Sequence, residues 1–86
     1  MPTMPWELIL SNIREAREQL EEIEIALASD SPPHEVTFQC MMQHAYHHLN
    51  FAWNMRNSTA ERYVNLSEDD FNRWGSMPTD LATDYD

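Results

Sequence analysis

The chain has 86 residues, with 15 acidic side chains against 5 basic ones, all arginine, and a net charge of −10. That balance excludes a binder of nucleic-acid backbones, which needs a basic stripe to displace counterions from phosphates, and it argues against an anionic membrane surface. The lack of lysine removes Schiff-base chemistry and the lysine-dependent phosphate loop. A chain this short is one domain at most and buries little more than about 60% of the surface its unfolded form exposes. The lone Cys40 cannot close an internal disulfide, so extra stability is expected from self-association, a ligand or a metal.

The opening Met-Pro-Thr-Met-Pro runs into a charged amphipathic segment, without a basic n-region or an apolar core of signal-peptide length. No apolar run approaches the roughly 20 residues of a membrane span. The expectation is a cytoplasmic, reduced protein. The sequons at Asn57 and Asn65 are then chance matches. A single glycine, Gly75, speaks against strand-rich architecture, which needs glycines in its hairpin turns. An all-α fold is predicted.

From Trp6 onward, Trp6, Ile9, Ile13, Ala16, Leu20, Ile23 and Leu27 recur at alternating spacings of three and four, which predicts one helix over about 4–28 with a continuous apolar seam. Thr3 is its expected N-cap, with Pro5 in the first turn and Glu7 near the positive end of the dipole. Pro32 and Pro33 stop this helix and open a second, over about 33–57. Two seams run along the second helix. One is Phe38, Met42, Ala45, Leu49 and Ala52; the other is Thr37, Met41, His44, His48, Phe51 and Met55. Apolar material this far around a helix calls for more than one neighbour.

The Pro-Pro turn folds the two helices into a long antiparallel hairpin, setting Leu20 beside Met42 and Ile13 beside Leu49. Capping boxes at Ser58–Glu61 and Ser67–Asp70 predict short helices at about 59–65 and 68–74. Gly75 is expected in the left-handed conformation after the last helix. Residues 1–78 then form one helical domain. Residues 79–86 form an acidic tail, docked through Leu81 or Tyr85. Two such hairpins are expected to dimerise into a four-helix bundle.

The chemistry-bearing segment is Gln43-His44-Ala45-Tyr46-His47-His48. His44 and His48 are four residues apart on one helix face, a spacing at which two imidazoles share a metal. In the antiparallel hairpin Glu15 and Glu22 fall on the same flank. This Glu15, Glu22, His44, His48 set has the donor types that hold zinc, manganese or iron inside helical bundles, with Cys40 and His47 as lesser candidates. The same pattern also suits a solvated flank, or two histidines that make association pH-dependent. His34, at a helix start, is read as incidental. A Cys40–His44 thiol pair lacks the electropositive setting that activates a thiol, and one glycine cannot build an oxyanion loop. Met41, Met42 and Met55 are read as adaptable core filling.

The segment from His44 to His48, followed by Trp53 and Arg56, resembles the last metal-ligand helix of the DinB-like four-helix proteins, which present a His-x-x-x-His pair there. The resemblance covers about a dozen residues and implies metal ligation by His44 and His48. The third histidine, carried by that family on another helix, has no counterpart here, and four helices require a dimer. Two readings follow. The first is a small acidic non-enzymatic interaction or regulatory module that acts as a homodimer or on a protein partner, with no nucleic acid and no membrane. The second is a metal-binding helical-bundle protein, a hydrolase or di-metal carboxylate oxidase, built on the His/Glu set.

Overall fold

The computed structural model describes residues 4–81, so the expected N-cap Thr3 and the tail residue Tyr85 lie outside the described residues. The order is α1 (Trp6–Leu27), α2 (Glu35–Asn54), α3 (Ala60–Val64) and α4 (Glu68–Trp74), with no strand among the described residues. The hairpin of α1 on α2 is the main packing, and α4 lies against α2. The fold is all-α, as the glycine-poor sequence predicts.

Local chemistry accounts for each end. The Pro5 carbonyl accepts from the amides of Leu8 and Ile9 and starts α1. At the other end the Ser29 hydroxyl donates to the Ala26 carbonyl at 2.7 Å and accepts from the Ser31 amide, and Pro32 and Pro33 bar continuation. α2 begins at Glu35, with the extended His34 before it. It stops at Asn54, three residues short of the expected Asn57. There the Arg56 guanidinium, 3.8 Å over the Trp53 ring, donates to the Trp53 carbonyl and satisfies a helix-end acceptor from outside the helix. Thr59, not Ser58, caps α3 by accepting from the Arg62 amide, while Ser67 caps α4 as expected by accepting from the Asp70 amide.

Burial on α1 follows a line one residue round from the expected seam. Asn12, Ala16 and Ile23 are buried, with Gln19 and Ala26 half-buried beside them, whereas Trp6, Ile13, Leu20 and Leu27 are exposed. Small residues decide this. Ala16 on α1 and Ala45 and Ala52 on α2 are all buried, letting the helices close on their smallest side chains and leaving the larger ones at the rim. The main core lies at the far end from the turn. Phe51, Met55 and Trp74 are buried there, under Leu8, Ile9, Tyr63 and Leu66.

Gly75 corrects the expected left-handed cap, since it is right-handed helical at φ −81°. Its reason for being glycine is space. A Cβ there would lie 3.1 Å from the Phe71 carbonyl oxygen and 3.3 Å from His47 Nδ1. Gly75→Ala is expected to destabilise the fold by about 1 kcal/mol through local overpacking, read as a lower urea midpoint. A midpoint unchanged or raised would mean that His47 gives way freely.

Candidate functional site

α2 carries a row of histidines along the flank between α1 and α4. The His44 and His48 rings are 5.1 Å apart, centroid to centroid, and His47 meets His48 edge-on at 5.4 Å. His47 also packs on Phe51 at 4.6 Å and Phe71 at 5.2 Å, which seats it at the α2–α4 contact. His48 is held from α1: its Nδ1 lies 3.3 Å from Asn12 Oδ1, while Asn12 Nδ2 donates to the Leu8 carbonyl and the Tyr63 hydroxyl. Burial lowers the pKa of His48 below the usual 6.5, and His44 adds to this, whereas the Glu15 charge opposes it. For His47 the lowering comes from burial first, then from His48 and His44.

The Asn12–His48 contact fixes the antiparallel register. It sets Glu15 level with α2 between His44 and His48, close enough for its charge to act on His48. Glu22 is exposed and stands two helical turns, about 10 Å, further toward the Pro-Pro turn. The fold therefore brings together His44, His48 and the Glu15 flank, and leaves Glu22 apart. Cys40 is exposed one turn before His44. Among the described residues no three His, Cys, Asp or Glu side chains are gathered closely enough to hold a metal ion. The one buried carboxylate among them, Asp70, is committed to structure. It accepts from Arg62 Nε at 3.1 Å, Arg62 Nη2 at 2.7 Å and Arg73 Nη2 at 2.7 Å, and the Arg62 hydrogen bonds hold its pKa below the usual carboxylate value. A carboxylate paired in this way is no general acid.

The opposite flank of the hairpin is apolar and open. Ile13, Leu20 and Leu27 of α1 are 42, 49 and 50% exposed, and Tyr46 and Leu49 of α2 are exposed as well. Between the helices Leu20, Met42, Ala45, Tyr46 and Leu49 line a shallow cavity of about 140 Å³. Its α2 side carries no charge, because no acidic or basic residue falls between Glu35 and Arg56 apart from the histidines on the other flank.

Periodicity alone passes over the polar residues that lock this arrangement. Asn12 joins α1, α2 and α3; Asn50 donates to the Gly75 carbonyl; Asn54 donates to the carbonyls of Trp74 and Ser76. A trace of the first is visible in the sequence as a polar residue on the face of Ile9 and Ala16. The start of the C-terminal segment is tied down by Asp80, which accepts from Trp53 Nε1 and Arg56 at 2.9 Å each, while Leu81 is exposed.

No protein-family model, curated protein or solved structure matches the chain significantly, so the likeness of the 44–56 segment to DinB-like proteins remains a resemblance of one helix. No described helix is long and apolar enough to cross a membrane.

Because the folded pKa values of His47 and His48 lie below 6.5, the unfolded chain takes up protons first as pH falls. Stability is full above pH 6.5 and declines as pH drops through it toward the folded values. The melting temperature, taken in chelator-containing buffer from about pH 7.5 to about pH 5.5, should fall, and less so in His47→Leu. A melting temperature that stays level or rises on acidification would sink this expectation.

Proposed function

We propose that this chain is a small non-enzymatic helical interaction module that acts as a homodimer, two hairpins closing their apolar flanks into a four-helix arrangement. The observation that carries the reading is the open flank: Ile13, Leu20 and Leu27 of α1 beside Tyr46 and Leu49 of α2, a contiguous apolar strip on a chain with a net charge of −10. Isolated exposed apolar residues are ordinary on any surface, whereas a contiguous strip on two adjacent helices is what partner surfaces are made of. The strip also lies where the protein is thinnest in core, toward the Pro-Pro turn, which is where a second layer of helices would add the most burial. Sedimentation velocity at micromolar concentration should give twice the chain mass of 10.2 kDa. Leu20→Glu should keep full helicity and weaken association about 100-fold, by about 3 kcal/mol. A compact, fully helical wild-type monomer would overturn the reading.

A second reading is supported by the 5.1 Å separation of the His44 and His48 rings. In it these two imidazoles, with Glu15 as the nearest carboxylate donor, hold zinc, manganese or iron, while Glu22 stands too far along α1 to join them. Protein purified without an affinity tag should then carry metal, and added zinc, manganese or iron should raise the melting temperature of wild type but not of His44→Ala. No bound metal and no thermal shift would remove this reading.

A further inference from the structure

We propose that the homodimer is organised by α1 packing antiparallel on α1 of the second copy, about a two-fold axis at Leu20; this rests on the self-association reading and specifies its partner and geometry. α1 has two apolar rows. Ala16 and Ile23 are buried against α2, whereas Trp6, Ile13, Leu20 and Leu27, spaced by seven, are all exposed. A seven-residue repeat along an exposed helix face is the pattern of a helix–helix seam. Leu20 lies midway between Ile13 and Leu27, so the row is complementary to itself. Turned about Leu20, Ile13 meets Leu27 of the second copy and Leu20 meets its own counterpart.

Charge selects the orientation. Arg17 and Glu24 stand at the same place beside the row, each four residues after an apolar member, and both are exposed and outside every ion pair among the described residues. Antiparallel packing about Leu20 brings Arg17 within one residue of level with Glu24 of the second copy, twice by symmetry. A parallel pairing in register would turn the Arg17 and Glu24 flank of each copy toward the opposite flank of the other, where Asn12, Gln19 and Ala26 stand, and would leave both charges without a partner. Packing of α1 on α2 of the second copy would offer Glu24 no arginine and Arg17 only Glu35 at the helix start, because α2 has no other acidic or basic residue except histidine. Charges flanking an apolar seam set partner and direction in this way. Each copy thus supplies both halves of a neutral seam within a strongly acidic chain, and the same approach covers the Leu20–Tyr46–Leu49 hollow.

Two experiments on the full chain test it. In sedimentation, Arg17→Glu and Glu24→Arg should each raise the dimer dissociation constant about tenfold, and the double variant should return to within about twofold of wild type. In a Cys40→Ser background, Leu20→Cys should oxidise to a covalent dimer, as should a mixture of Ile13→Cys and Leu27→Cys chains. Leu27→Cys alone should not, because its two copies would stand about 21 Å apart along the seam, far beyond the roughly 7 Å a disulfide spans. A dimer in which the double variant is no better than the singles, or in which Leu27→Cys cross-links with itself, overturns this register and leaves self-association standing. A wild-type monomer overturns both.

Discussion

The buried line of α1 against α2 is Asn12, Ala16 and Ile23, and the surface character of the hairpin follows from which row of α1 is turned inward. Ala16, Ala45 and Ala52 are all buried, together with Ile23, so small side chains make up much of the buried line between the two helices. Ile13, Leu20 and Leu27 are therefore displaced to the rim, where each keeps close to half its surface. Larger residues at 16 and 45 would have separated the helices and drawn those side chains inward. The chain instead spends its bulky apolar residues on a rim that it cannot cover alone. Asn12 continues this close seam, and its amide serves Leu8, His48 and Tyr63 together, so a polar side chain fixes the rotation of α1 against α2.

At the opposite end the same shortage of apolar volume is met by polar tethering. Phe51, Met55 and Trp74 make a small core, and α4 is held over it by hydrogen bonds from Asn50 and Asn54 to the 74–76 backbone. Asp70 closes the other side by gathering Arg62 of α3 and Arg73 of α4 on one carboxylate. Both arginines keep more than half of their side-chain surface in water, so the pairs orient the two short helices more than they bury charge. Gly75 belongs to this arrangement because the chain must pass close to His47 and Phe51 as it leaves α4.

The helices and their order were legible because each rests on a local signal: three-four periodicity, the Pro32-Pro33 break, and serine or threonine ahead of the short helices. The side of α1 that would be buried was less so. Ala16 and Ile23 belong both to the periodic seam and to the buried line, with Ile9 half-buried beside them, and periodicity alone does not decide whether the neighbouring row at Ile13, Leu20 and Leu27 goes in or out. Hydropathy favours the leucines, but geometry favoured the alanines. Likewise, the flank shared by Glu15, His44 and His48 follows from antiparallel pairing alone, whereas the distance of Glu22 from them depends on a register that one long-range contact, Asn12 to His48, sets. The local pattern around Gly75 points to a backbone angle, whereas the cause is a neighbour distant in sequence, His47, which no local pattern reports.

At about 100° per residue, His44 lies nearly across the helix from the Met42, Tyr46 and Leu49 side of α2. The two features that carry chemistry are thus kept apart by the helix that bears them. Protonation of the histidine row would place charge where α4 rests through His47 and Phe71, and where His48 meets Asn12, with only Tyr46 of the apolar strip sharing a hollow with His47. Loss of stability on acidification and loss of self-association would therefore be separate events. If the chain self-associates as proposed, acid would weaken the associated state chiefly by loosening the hairpin that presents the strip, and a change at Leu20 would leave the His44 and His48 environments as they are.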